Sequence, residues 1–132
     1  MEHIRTHPQE LFGIYRGAKI CPNIHGDFQK NIVSDAPSKI ANTPGTMINE
    51  RFWNVLGCGG LLITDWTPQM EMFFKRDELI VADNKDEFQH LIDYYKEHKQ
   101  EGLDKLAGAR EKVLNHHTCR RRVKQLLEWI NP

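Results

Sequence analysis

The chain has 132 residues, enough for one domain with a single hydrophobic core and too few for two of ordinary size. Its 18 Lys and Arg balance 18 Asp and Glu, which excludes a global field drawing it to nucleic acid or an anionic membrane; any anion site must be local. The start, "MEHIRTHPQE", is polar and no apolar run approaches the roughly 18 residues of a membrane span, so the sequence reads as a soluble, cytoplasmic protein.

In chain order, Pro8 suits a first helical turn and Leu11, Ile14 and Tyr15 follow at helical spacing, so 7–16 is predicted as a short helix ended by Gly17. "AKICPNIH" reads as a strand, with Pro22 favouring a sheet edge or a strand end because it lacks a ladder donor. Residues 26–45 show no sustained period and carry Pro37 and Pro44, a long connection of the kind that is usually functional. Thr46 is expected to cap a helix with an apolar face of Met47, Phe52, Trp53, Val55 and Leu56, stopped by Gly57, Gly59 and Gly60.

"LLIT", 61–64, is a continuous apolar run, as expected of a strand buried on both faces. Thr67 and Pro68 open a further helix over 69–74, and "ELIVAD", 78–83, is a third strand candidate. Asn84 with Glu87 makes a capping-box-like start, and Phe88, Leu91, Ile92 and Tyr95 lay one stripe along a helix to about His98. Leu103, Leu106, Val113 and Leu114 mark the next helix; Val123, Leu126, Leu127 and Ile130 mark the last, after a Thr118 cap. Strands separated by helical crossovers imply an α/β fold with a small parallel sheet of about three strands, a partial Rossmann-like arrangement flanked by helices.

In such a fold ligands bind outside the carboxyl ends of the strands. Those ends are 24–27, 64–67 and 83–84. Helices starting at Thr46 and Pro68 would aim their amino termini at the same rim, where N–H groups and a partial positive charge favour an anion such as a diphosphate. The residues to weigh there are His25, Asp65 and Glu71, each with a plainer alternative: a partly exposed loop histidine, a turn former and a dipole partner. Trp66 would cover a base or sugar, whereas Trp53 and Trp129 read as packing. Cys21, Cys58 and Cys119 are odd in number, far apart and without a CxxC pair, which argues against a disulfide framework or zinc knuckle. Adjacent His116 and His117 near Cys119 do not suit one tetrahedral ion, so no metal is expected. "RRRVK", 120–124, reads as a solvated helix face rather than a nucleic-acid patch.

"NERFWNVLGCGGLLITDWTPQMEMF", "ELIVADNKDEFQHLIDYYKEH" and "NHHTCRRRVKQLLEWI" together resemble the carboxyl-terminal half of a group 1 glycosyltransferase of the CgeB-like, spore maturation protein branch. The resemblance covers residues 18–130 in order and keeps the spacing from Cys58 to Asp65 to Glu71. It implies the carboxyl-terminal, donor-binding domain of a GT-B enzyme spanning 1–132, incomplete at its amino end, with a nucleotide-sugar as donor substrate, no cofactor, and an acceptor that is unknown. By position it implies a donor site of His25, Gly26, Thr46, Asn49, Glu50, Arg51, Asn54, Asp65, Trp66, Thr67 and Glu71, with catalytic residues unassigned. Thr46 and Asn54 stand where relatives carry glutamates, and Asn54 cannot accept from two hydroxyls as a carboxylate does. Arg51, Lys30, Lys39 and the helix ends are the candidates for stabilising a departing diphosphate. The resemblance thus implies hexosyl transfer that needs a further domain or partner chain; a non-catalytic binding or interaction module that keeps the fold is the alternative. Pairing of two chains through the edge of the first strand, giving a homodimer, is the expected self-association.

Overall fold

The computed structural model describes residues 8–25 and 47–131. Helix α1 (Pro8–Gly17) leads into strand β1 (Cys21–Asn23). Helix α2 (Glu50–Cys58) precedes strand β2 (Leu62–Thr64), and short 3-10 turns follow at Pro68–Met72 and Arg76–Glu78. Helices α3 (Lys85–Glu97), α4 (Lys99–His116) and α5 (Cys119–Ile130) complete the chain. The expected long connection at 26–45 and the Thr46 cap lie outside the described residues.

β1 and β2 pair in parallel, Cys21 opposite Leu62 and Asn23 opposite Thr64. The result is an α/β fold with a small parallel sheet flanked by helices, a partial Rossmann-like arrangement. The expected third strand is reduced to one parallel bridge, Thr64 to Val81. Thr64 N–H donates to Ile80 O and Ala82 N–H to Thr64 O, and pairing stops there. The reason lies on both flanks: Leu79 N–H turns back to Arg76 O, and Asp83 N–H goes to the Glu87 carboxylate at 2.7 Å. The helix expected over 69–74 is a 3-10 turn over Pro68–Met72, and Thr67 makes no side-chain cap to it.

β2 is buried on both faces, as its unbroken apolar run requires. Around it the core gathers Phe52 and Leu56 of α2, Met70, Ile80, and Leu106 and Val113 of α4. α2 starts one turn later than expected. Asn49 Oδ1 accepts from Phe52 N–H at 3.1 Å, so asparagine rather than Thr46 caps the described helix. The helix ends at Gly59, whose φ of 77° is left-handed and whose N–H closes on Leu56 O and Val55 O. Gly102 of α4 lets that helix meet the strand: a Cβ there would stand 2.4 Å from Leu61 Cδ1.

Lys99, at the start of α4, reaches back to Ala18 O at 2.7 Å and so satisfies a carbonyl just past the end of α1. α3 is capped as expected by Asn84, which accepts from Glu87 N–H at 2.9 Å. Its stripe is only half-buried apart from Tyr95. α5 is capped by Thr118 as expected, but every residue from 119 to 131 is exposed. Its stripe is therefore more than half exposed along its length.

Candidate functional site

β1 alternates inward and outward, and inward-facing Cys21, Asn23 and His25 are all buried. Cys21 N–H donates to Leu61 O, so the next ring, Pro22, turns its donorless nitrogen away from β2 and blunts the open edge. Burial pushes the Cys21 and Cys58 thiols above their ordinary pKa, the direction of inert structural cysteines.

At the carboxyl ends of the two strands the buried side chains become polar. Asp65 binds His25 twice over. His25 Nδ1 lies 2.6 Å from Asp65 Oδ1, and the His25 backbone N–H donates to both carboxylate oxygens at 3.1 Å. Because an ionised carboxylate only accepts, Nδ1 carries the proton in this pair, which leaves Nε2 facing the Asn23 amide at 3.4 Å. The same amide donates to Thr64 Oγ1 at 3.4 Å, and Thr64 Oγ1 donates to Asp65 O at 3.0 Å. Partial burial pushes the Asp65 carboxyl up, but the His25 hydrogen bonds outweigh it and hold Asp65 below the ordinary aspartate value.

The histidine ring is thus neither exposed nor idle: its side chain is 2 % exposed, against 32 % for Asp65. His25 fixes the carboxylate, and the carboxylate faces out. Outside it lies a hollow of about 390 Å³ lined by Ile24, Asp65, Asp83, Asn84, Lys85 and Phe88 among others. A neighbouring hollow of about 370 Å³ shares Ile24 and is lined by Tyr15 and by Asn49, Glu50, Arg51 and Asn54 of the α2 start. The strand ends and this helix start therefore meet at one rim. Asn54 Nδ2 donates to Glu50 Oε1 at 3.4 Å, one helical turn apart.

The remaining candidates sit less centrally. Asn49 spends its oxygen on capping. Trp66 is half-buried beneath the Arg76 guanidinium, 5.6 Å from its ring centre, and Arg76 in turn pairs with Asp83. Thr67 is buried with its hydroxyl unpartnered. Glu71 is exposed on the 3-10 turn and lines neither hollow. Gly26, Thr46, Lys30 and Lys39 lie outside the described residues. Sequence reasoning passed over Asn23 and Lys85, and named Thr64 only as a strand end; the alternation of Cys21, Asn23 and His25 around an edge proline was the available signal for the first. Among the described residues no group of three or more His, Cys, Asp and Glu is placed to hold a metal ion. His117 instead packs its ring 5.1 Å from Trp53 and 5.0 Å from Phe73 and accepts from Arg122 at 3.0 Å. Burial first, then Arg122 and His116, depress its pKa.

A family model described as glycosyl transferase-like matches residues 2–128. The chain belongs to the glycosyl transferase-like family. No curated protein and no solved structure matches it. Among the described residues no helix of this glycosyl transferase-like chain is long and apolar enough to cross a membrane.

Proposed function

We infer that this glycosyl transferase-like chain is the donor-binding, carboxyl-terminal domain of a CgeB-like group 1 enzyme of GT-B architecture. It binds a nucleotide-diphosphate-sugar at the strand-end rim and passes a hexosyl group to an acceptor together with a further domain or partner chain. The observation that carries this reading is the meeting of the α2 start with the ends of β1 and β2, where adjoining hollows share Ile24. Amide donors at a helix start favour a diphosphate, and Arg51 adds the cation of that hollow.

Asn54, standing where relatives have a glutamate, does not act alone. Glu50 holds a carboxylate against its amide, and together they offer a diol one anionic acceptor and one donor. The pair replaces the missing glutamate as a ribose clamp. Asp65, fixed by His25, is the acceptor for a sugar hydroxyl in the adjoining hollow.

Amide-resolved NMR titration with UDP, GDP and ADP tests the reading. One nucleotide is expected to shift Glu50, Arg51, Asn54 and Asp65 together. Glu50→Gln should weaken it roughly tenfold, the worth of a hydrogen bond to a charged group, and remove any preference over the 2′,3′-dideoxy analogue. Absence of shifts at millimolar nucleotide would overturn the donor site and leave the non-catalytic module, which the Asn54 departure favours.

A further inference from the structure

The last helix raises a separate question, independent of the donor site. Val123, Leu126, Leu127 and Ile130 recur at the spacing of one helix face, yet they are 55 %, 53 %, 53 % and 64 % exposed, and Trp129 beside them is 82 % exposed. The first turn of α5 is anchored, since Arg122 bonds His117 and lies 5.8 Å from the Phe73 ring centre. Beyond it the stripe is open.

Charge says what covers it. Between Cys119 and Ile130 stand four cations and one carboxylate, in a chain whose totals cancel, so the excess is concentrated on this helix. At 100° per residue, Arg120 and Lys124 fall along one margin of the apolar stripe and Arg122 and Trp129 along the other. Arg120, Arg121 and Lys124 also line a hollow of about 620 Å³ whose apolar wall is Leu114, Val123 and Leu127, and no carboxylate lines it. Glu128 sits 3.8 Å from Lys124 with both side chains exposed, too weak a pair to neutralise the margin.

We propose that α5 is an interfacial anchor that lays its apolar stripe into an anionic lipid surface while its marginal cations hold the headgroups. Basic margins, an aliphatic stripe and a terminal tryptophan are the composition of helices that lie in the membrane plane. A second copy of the chain fits this face less well, because stripe-to-stripe pairing sets cationic margins against each other. An anionic bilayer supplies the apolar interior and the negative surface at once.

Sedimentation of the full chain with phosphatidylcholine vesicles, with and without phosphatidylglycerol, decides the matter. The chain should sediment with the anionic vesicles, far less with pure phosphatidylcholine, and less as salt rises. Leu126→Glu with Leu127→Glu should abolish capture at an unchanged thermal transition. Replacing Arg120, Arg121 and Lys124 by Gln should lower the partition coefficient roughly fivefold per charge. Failure to sediment with anionic vesicles, or capture indifferent to the Leu pair, overturns the proposal. So does a dimer by sedimentation velocity that the Leu pair converts to monomer while vesicles capture nothing, which would make a second copy the occupant.

Discussion

The strand-end rim and the terminal helix use the same kinds of residue in opposite ways. At the rim, polar side chains are buried and bonded to one another, Asn23 to Thr64 and His25 to Asp65, over a floor containing fully buried Phe52. Along α5, aliphatic side chains stand in the open and cations surround them. The rim follows the rule that a buried polar group finds a partner except at Asn23 Oδ1 and Thr67 Oγ1, which have none; α5 breaks the corresponding rule for apolar groups within this chain. Side chains bonded to one another, as His25 and Asp65 are, hold a fixed orientation toward a ligand, while an apolar face left open is built for something outside.

The sharpest way to break the comparison is to remove the floor. Phe52 is fully buried, donates its backbone N–H to the Asn49 cap, and packs edge-on with Trp53 and Phe74 at 5.3 and 5.5 Å. Phe52→Ala should cost about 3–5 kcal/mol, a large part of the stability of a domain of this size. Urea unfolding followed by circular dichroism reads it as a lowered midpoint. A loss under 1 kcal/mol would mean that the rim does not rest on this core.

Next in size is the buried pair. Asp65→Ala strips two acceptors from His25, leaving a backbone N–H and a ring N–H unpaired, which should cost about 1–3 kcal/mol, toward the low end because Asp65 is partly solvated. The pH dependence has a definite sign. Asp65 has a lower pKa folded than unfolded, so its contribution is complete above the ordinary value of about 4 and is lost as pH falls through the folded one. The variant should therefore lose less stability than the parent between pH 5 and acid, as denaturation midpoints across pH will read. Parallel acid limbs would rule out the His25–Asp65 pair as a source of that dependence.

Much of this was legible in the residues, and what was not has physical causes. The stripes of α3, α4 and α5, the caps at Asn84 and Thr118 and the buried strand at 61–64 follow from period and composition, which are local. The third strand failed because "ELIVAD" carries strand propensity, while the competing turn at Arg76 and the reach of Glu87 to Asp83 are contacts that propensity does not encode. Thr46 and Asn49 are both good caps by type, and three residues separate the expected start from the described one. By its place at a strand end His25 reads as a rim residue that donates to a phosphate or sugar, or as a partly exposed loop histidine. Only the register of β1 against β2 brings it to Asp65, forty positions away in sequence.

A smaller effect tests how the rim is held in place. Gly59 ends α2 at a φ of 77°, where a Cβ is strained and the Arg110 guanidinium stands 3.3 Å from its ideal position. Gly59→Ala should cost about 1 kcal/mol, measurable as a midpoint shift without loss of helix signal. Asn49→Ala removes the other cap and should cost a similar amount, about 1 kcal/mol. The two differ in consequence: the Asn49 change frays the helix start that lines the rim, so nucleotide-induced shifts at Glu50 and Arg51 should weaken with it, whereas Gly59→Ala should leave them intact.

The smallest expected effect is the one that most sharpens the contrast. Leu127 has the same side chain as Leu56, but is 53 % exposed where Leu56 is 1 % exposed. Leu56→Ala should cost about 2–5 kcal/mol through the cavity it leaves, whereas Leu127→Ala should move stability by no more than about 0.5 kcal/mol. The pair of variants, unfolded side by side in urea, measures how much of α5 the domain itself uses. A Leu127 loss approaching the Leu56 loss would mean that the helix folds against its own chain in solution, and the open stripe would then have its partner at home. A near-zero loss leaves an apolar face that contributes nothing to the folded state alone, which is the thermodynamic condition for a surface whose stabilising contacts lie on another body.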